Sequence, residues 1–174
     1  NEIDNFKKLY AFCQNSLFSI ELVRSPNFLN FVSKILNVKK SSLMVGDLTV
    51  RLDNLGKSSA HIDYHQESSY YPNIGNYEKS LLVWFPLHDI EENDGGLSFI
   101  SQSHLLGKQN HKFFKQKKNC NRKPYYSSKF LQKNNQRVFI GSAGEVLACD
   151  FNLFHSSSVN NGNTFRISAA FRLF

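Results

Sequence analysis

The chain has 174 residues, of which 41% are apolar, and it carries a net charge of +7. This length suits one compact domain with a real core. No apolar run approaches the roughly 20 residues that cross a bilayer, and no secretory signal opens the chain, so we expect no membrane association. The positive charge leaves two options open, an acidic partner or simply a basic enzyme. Cys13, Cys120 and Cys149 have no paired spacing, which predicts free thiols in a reducing cytosol.

The first third of the chain predicts two helices. Residues 5–23 have apolar side chains at helical spacing, and a second helix should begin at Ser25-Pro26, because proline suits a first helical turn. The residues expected on the buried face of the first helix are Phe6, Leu9, Tyr10, Cys13 and Leu17. Those expected on the second are Phe28, Phe31, Val32, Ile35 and Leu36.

Beyond residue 42 the pattern changes to short strands rich in branched and aromatic residues, which the 16 Phe and 7 Tyr of the chain also favour. The predicted strands are 43–52, 79–87, 95–101, 144–151 and 164–174. In the last of these, alternation separates an apolar face (Phe165, Ile167, Ala169, Phe171, Leu173) from the opposite one (Arg166, Ser168, Ala170, Arg172). Helices followed by many strands predict an α+β or mainly-β domain, either a barrel or a sandwich.

Residues 108–123 form a strongly basic segment between two predicted strands, with seven Lys/Arg and no acidic residue. One interpretation is a solvated loop. The other is a lid that recognises an anionic substrate, in which Lys112, Lys115, Lys117 and Lys118 would make the contacts.

The segment 61–72, HIDYHQESSYYP, contains His61-x-Asp63 and His65-x-Glu67. Side chains at i and i+2 of a strand point the same way, so either pair could occupy adjacent corners of one metal ion. A distant third histidine would complete the facial triad of non-haem Fe(II) oxygenases, which leaves coordination positions open. A single His-x-acid pair is common by chance, so more of the chain must support this interpretation.

The C-terminal part supplies that support. His155 is predicted just after a strand, and Arg166 follows eleven residues later on the next one. An Fe(II)/2-oxoglutarate enzyme needs such a pair, because the histidine can complete the triad and a guanidinium binds a carboxylate through two parallel hydrogen bonds.

From about Val50 to Phe174 the chain resembles the phytanoyl-CoA dioxygenase family. YHQESSYYP, LLVWFPLHDIEENDGGLSFISQSHLLG and GEVLACDFNLFHSSSVNNGNTFRISAAFRL match three blocks of that family in the right order. The resemblance implies a mainly-β fold with N-terminal helices, a double-stranded β-helix (jelly-roll or cupin-like barrel). We expect a single domain over 1–174, with a helical lead-in at 1–40 and a barrel core at 41–174 that carries the basic insertion at about 108–128.

The resemblance also implies the site. Iron would be held by His65, Glu67 and His155, and the distal carboxylate of 2-oxoglutarate by Arg166 with help from Ser157. Gln66 and Trp84 match positions that line the co-substrate site. Glu67 stands where the family usually has aspartate. Because a carboxylate is present, the halogenase variant, in which a small residue leaves room for halide, is disfavoured.

Several alternatives stay open. His61 and Asp63 are a rival iron pair, although the residues around His65 fit the family better; otherwise they are candidates for substrate contact, as are Tyr70, Lys112 and Lys115. Arg172 shares the strand face of Arg166 and could replace it, but the spacing to His155 favours Arg166 and leaves Arg172 as a structural salt-bridge partner. Arg51 is either a cavity cation or a solvated strand residue.

The implied function is a dioxygenase that uses Fe(II), 2-oxoglutarate and O2 to hydroxylate an unactivated C–H bond of a small, anionic or carrier-linked metabolite, with release of succinate and CO2. The alternative is a non-catalytic cupin-like barrel that binds metal and does not need Arg166. A nucleic-acid module that stacks bases on Phe113, Phe114, Tyr125 and Tyr126 is disfavoured. No pattern predicts an oligomeric state.

Overall fold

The computed structural model describes residues 8, 11–13, 16–53, 56, 62–74, 77–115, 122–125 and 136–174. Residues 8 and 11–13 are helical, and α1 (Leu17–Arg24) and α2 (Pro26–Leu36) follow before the strands. The single helix predicted over 5–23 is interrupted at Ser16, whose backbone is extended. The described strands are β1 (Val45–Asp53), β2 (Leu81–Pro86), β3 (Leu97–Ile100), β4 (Lys112–Lys115), β5 (Arg122–Tyr125), β6 (Gln136–Val138), β7 (Leu147–Asp150), β8 (His155–Ser157) and β9 (Arg166–Leu173).

Serine side chains begin both helices. Ser16 accepts a hydrogen bond from the backbone N–H of Ser19 at 3.3 Å, and Ser25 accepts one from Phe28 at 3.2 Å, which satisfies N–H groups that a first turn leaves free. In α2, Val32 and Leu36 are buried as predicted. Three residues of the predicted apolar faces are instead exposed, since each helix contacts the sheet along a narrow stripe: Leu17, Phe31 and Ile35.

The strands form two separate antiparallel sheets and a hairpin. One sheet has the order β1-β9-β2-β7, the second has the order β6-β3-β8, and β4 pairs with β5. All five predicted strands are present. Within the described part of the chain, no ladder of backbone hydrogen bonds joins the two larger sheets into a closed barrel.

Two sequence predictions need correction here. The basic insertion, predicted as a loop, contains the β4–β5 hairpin, which its aromatic residues favour locally. His155, predicted just after a strand, is the first residue of the short strand β8; its three residues, HSS, have weak strand propensity, and pairing with β3 holds them extended.

The alternation predicted for the last strand is confirmed within β9, whereas Phe165, predicted on its apolar face, precedes the strand and is 50% exposed. Ala169, Phe171 and Leu173 belong to the core beneath the helices, where the ring of Phe171 meets that of Phe28 edge-on at 5.5 Å between centroids. Arg166 and Arg172 lie on the opposite face, in a cavity that residues of both larger sheets line. The long central strand therefore carries two cations into the space between the sheets.

None of the helices in the described ranges has the length and apolar character needed to cross a membrane. The division of the chain into a lead-in, a core and an insertion within one domain stays a prediction.

Candidate metal centre

His65 and His155 lie side by side at the cavity because their backbones pair with each other. Each N–H donates to the carbonyl of the other residue at 3.0 Å, and the two ring centroids are 4.4 Å apart. Both side chains are buried, at 4% exposure. Two residues that are 90 positions apart in sequence are thus fixed as neighbours by the main chain.

Both rings are oriented by backbone carbonyls. The Nδ1 atom of His65 is 2.8 Å from the carbonyl oxygen of Asp63, and that of His155 is 3.0 Å from that of Leu153. A carbonyl only accepts, so each Nδ1 carries the proton and donates, and in the neutral ring Nε2 keeps its lone pair. This is the arrangement that fixes the tautomer of histidines that bind metals through Nε2.

Glu67 completes the cluster, although its local structure differs from the predicted strand. His65 forms an isolated bridge and Glu67 begins a 3₁₀ turn, Glu67–Ser69. The extended backbone of Gln66 between them, with φ −112° and ψ 141°, still directs both side chains the same way. Nitrogen and oxygen atoms of His65, Glu67 and His155 all lie within 4.8 Å of one another.

Burial and charge set the protonation of this cluster. Burial, helped by the nearby His155 ring, lowers the pKa of His65 to about 3, so His65 is neutral at physiological pH. Burial alone would raise the pKa of Glu67, but the Arg172 guanidinium and His155 outweigh it and hold that pKa below its usual range. A neutral imidazole beside an ionised carboxylate is the form in which these groups bind a metal.

Arg172 donates two hydrogen bonds to the carboxylate of Glu67. Its Nε donates to Oε2 at 3.2 Å and its Nη2 donates to Oε1 at 2.9 Å, while Nη1 donates to the hydroxyl of Thr49 at 3.0 Å. The predicted salt-bridge role of Arg172 thus involves a residue of the cluster itself.

Arg166 lines the same cavity and is 1% exposed. Its Nη2 forms an ion pair with Asp53, and its Nη1 donates to the carbonyl of Gly96 at 3.3 Å. Its Nε has no hydrogen-bond partner among the described atoms. A buried guanidinium N–H without a partner is costly, so this atom is suited to receive an anionic ligand.

Asp53 was missed by the sequence analysis. It faces Arg166 across the β1–β9 ladder, and its other oxygen accepts from Arg51 at 2.9 Å. Burial would raise the pKa of Asp53, but the two arginines hold it below its ordinary value. Only the register of two strands distant in sequence reveals this contact. Arg51 itself lines the cavity.

The cavity brings Trp84 and Ser157 together with the cluster and Arg166. Trp84 is 3% exposed and packs edge-on against Phe139 at 5.5 Å between ring centroids. The volume is about 30 Å³, so a ligand much larger than water requires side chains to move.

Gln66 is not brought to the cavity. Its amide donates to the carbonyls of Gly107 at 2.9 Å and Asn152 at 2.7 Å, and it accepts from the N–H of Gln109 at 2.7 Å. These bonds tie the segment that leads into β4 to the residue between His65 and Glu67.

The predicted substrate residues are scattered. Tyr70 is 38% exposed, with its ring edge-on to His65 at 5.6 Å between centroids. Asp63 is exposed and contributes its carbonyl to His65, and Lys112 is exposed. His61 and the side chain of Lys115 lie outside the described part of the chain. Asp63 does not belong to the cluster.

Several solved structures share the fold. The non-heme monooxygenase ThoJ is 18% identical, with a TM-score of 0.69 over 88% of this chain and 54% of its own. The non-heme alpha ketoglutarate dependent epimerase SnoN from nogalamycin biosynthesis is 17% identical, with a TM-score of 0.67 over 91% and 57%. EvdO2 from Micromonospora carbonacea var. aurantiaca is 15% identical, with a TM-score of 0.69 over 92% and 64%.

These similarities confirm the predicted mainly-β, jelly-roll fold with N-terminal helices. The chain spans a little over half the length of ThoJ and SnoN, at 54% and 57%. No curated protein sequence matches the chain. A model of the family described as Phytanoyl-CoA dioxygenase (PhyH) matches residues 2–168. The chain therefore belongs to the phytanoyl-CoA dioxygenase family.

Proposed function

We propose that this protein is a non-haem Fe(II)- and 2-oxoglutarate-dependent dioxygenase whose iron is held by His65, Glu67 and His155. The observation that carries the proposal is the convergence of their nitrogen and oxygen atoms within 4.8 Å, with both imidazoles fixed through Nδ1. Two histidines and one carboxylate with open positions are the ligand set of non-haem Fe(II) oxygenases.

The chemistry of the donor set fits a metal cation. Nε2 of His155 and Oε1 of Glu67 are 3.4 Å apart. When the ring is neutral, both atoms are acceptors, and two acceptors at this distance repel each other unless a proton or a metal cation lies near both. When bound, iron would supply O2 activation and C–H oxidation coupled to oxidative decarboxylation of 2-oxoglutarate.

We further propose that Arg166 binds the distal carboxylate of 2-oxoglutarate, beside Ser157 and Trp84. The support is the buried Nε of Arg166 without a partner and the shared cavity. SnoN has been solved in complex with Fe3+ and alpha ketoglutarate, and EvdO2 with 2-oxoglutarate. In our chain, Trp84, Leu82 and Leu97 supply apolar walls that exclude water.

For the substrate we propose a small metabolite that is anionic or linked to a carrier and is hydroxylated at an unactivated C–H bond. Between Gly95 and Gly144 the sequence has no acidic residue, and its Lys/Arg residues are the seven of 108–123 together with Lys129, Lys133 and Arg137. Gln66 anchors the start of this segment beside the metal cluster. The free thiols of Cys13 and Cys149 agree with the reducing cytosol that we propose as its compartment.

One observation favours a second candidate, a non-catalytic metal-binding barrel. Asp53 already pairs with Arg166, so the guanidinium has a resident counter-ion without any co-substrate. The two candidates differ in whether 2-oxoglutarate binds at the metal.

The test is an anaerobic titration of the purified protein with Fe(II) and then 2-oxoglutarate. A dioxygenase site is expected to develop a weak visible charge-transfer band, because the keto acid chelates the iron. Succinate is the matched control, since it lacks the keto oxygen and should produce no band. Folded, iron-loaded protein without a band would contradict the dioxygenase and favour the metal-binding barrel.

Neutralising the basic segment tests the anionic substrate. The variant with Lys112, Lys115, Lys117 and Lys118 changed to glutamine is expected to raise KM about tenfold at low salt, and less at high salt where charges are screened. Steady-state kinetics with the identified substrate measure this. The control removes four exposed charges from the helical lead-in, at Arg24, Lys34, Lys39 and Lys40. Equal KM values for the two variants would contradict electrostatic recognition by this segment.

A further inference from the structure

The carboxylate of Glu67 is held by one side chain at both of its oxygens. Arg172 donates to Oε2 through Nε and to Oε1 through Nη2, at 3.2 and 2.9 Å. Its remaining terminal nitrogen donates to Thr49 at 3.0 Å, so the hydroxyl of β1 limits rotation of the guanidinium. Glu67 is 1% exposed, and only 16% of the Arg172 side chain is exposed. The carboxylate is thus buried and doubly hydrogen-bonded to a largely buried arginine at the metal cluster.

The number of oxygens that Glu67 gives to a metal matters for the chemistry. A carboxylate binds metals through one or both oxygens. An octahedral ion held by three protein atoms keeps about three positions for other ligands. A glutamate that chelates with both oxygens would occupy one of them, and its arm, longer than that of aspartate, makes such a swing easier.

We propose that Arg172 is a positioning residue that keeps one oxygen of Glu67 on its guanidinium, so that the metal receives only the other. The proposal rests on the function proposed above. The oxygen nearer His155, Oε1, is the one available to a metal, and Arg172 keeps the other oxygen, Oε2, through Nε. Its bond to Thr49 keeps the guanidinium close to that oxygen. The third coordination position then stays available.

Two other assignments of Arg172 fit the contacts less well. An arginine that only tied strands together would not need to hold both oxygens of a cluster carboxylate. An arginine that bound the co-substrate would have to leave Glu67 and Thr49, whereas Arg166 already has a buried N–H free. Thr49 lies on the same face of the sheet as Arg172, because it pairs in the β1–β9 ladder with Ala170, two residues before Arg172.

The test measures how many water molecules are coordinated to Mn(II) bound by the protein, from the relaxation rate of water protons. The fully hydrated Mn(II) ion is the standard, and the measurement does not require enzyme turnover. We expect about three coordinated waters on the full chain. Arg172→Met removes every donor, so Glu67 should chelate with both oxygens and the bound-ion relaxation should fall by about one third. Arg172→Lys still donates to one oxygen and is expected to restore the wild-type value.

Arg24→Met, which removes an exposed arginine from the end of α1, is the matched control and should behave as the wild type. Wild-type relaxation in Arg172→Met would overturn the proposal. If that variant does not fold, Thr49→Val, which removes the hydroxyl that holds the guanidinium in place, is expected to lower the relaxation in the same direction, and wild-type relaxation in Thr49→Val or about two waters on the wild-type chain would overturn the proposal. Mn(II) that does not bind the wild-type chain would overturn the metal centre itself, which separates failure of the proposed function from failure of the Arg172 role.

Discussion

Replacing His155 with alanine is expected to weaken metal binding at least about 100-fold and to abolish succinate formation. Loss of groups that only orient metal ligands already costs about 10- to 100-fold in affinity, and this change removes a ligand. Mn(II) or anaerobic Fe(II) titration measures the affinity, and the charge-transfer band with 2-oxoglutarate should disappear.

The variant should still fold, because the hydrogen bonds between residues 65 and 155 are made by the backbone. His104→Ala is the matched control, since His104 lies in a separate 3₁₀ turn, Ser103–Leu106. Unchanged metal affinity in His155→Ala would contradict the assignment of His155 as a metal ligand.

Replacing Arg166 with methionine is expected to weaken binding of 2-oxoglutarate by about 100-fold while metal binding stays close to that of the wild type. Loss of one partner from a buried, hydrogen-bonded charge pair costs about 2–5 kcal/mol, which corresponds to about 30-fold or more in affinity. The band titration gives the co-substrate Kd. Arg166→Lys keeps the charge without the planar fork and should lie between the two.

Arg137→Met, which changes an exposed arginine of β6, is the control for removal of a positive charge. A normal 2-oxoglutarate Kd in Arg166→Met would contradict the co-substrate assignment and direct attention to Arg51. Equal losses of metal and co-substrate binding would indicate that the cavity had collapsed.

Acid unfolding of the Arg166→Met protein provides a second readout. The pKa of Asp53 lies below its ordinary value in the wild type, with Arg51 and Arg166 as the causes. Such a group stabilises the fold above its unfolded pKa of about 3.9, and the contribution is lost as the pH falls through the lower, folded pKa. Without Arg166 the folded pKa of Asp53 rises, so the variant should unfold at higher pH than the wild type in a circular-dichroism titration.

Local sequence was enough to predict helices in the first third of the chain and the main strands, whereas the choice of His65, Glu67 and His155 came from the family resemblance. Serine caps and Pro26 begin the helices through contacts within a few residues. Alternation separated the two faces of β9 because successive strand residues point in opposite directions. The sequence overestimated the width of the buried apolar face of each helix, since it does not show how much of a helix surface contacts the sheet.

The sequence by itself limited the fold to an α+β or mainly-β domain, because strand periodicity is a local property of the chain, and the family resemblance implied the jelly-roll fold and the candidate ligands. Tertiary structure alone decided which groups meet. The backbone bridge between His65 and His155, the grip of Arg172 on Glu67 and the pairing of Asp53 with Arg166 all join residues 90 or more positions apart, and they depend on strand register. Tertiary contacts also decide that Gln66 does not line the cavity, because its side-chain amide forms hydrogen bonds with three backbone groups of neighbouring loops.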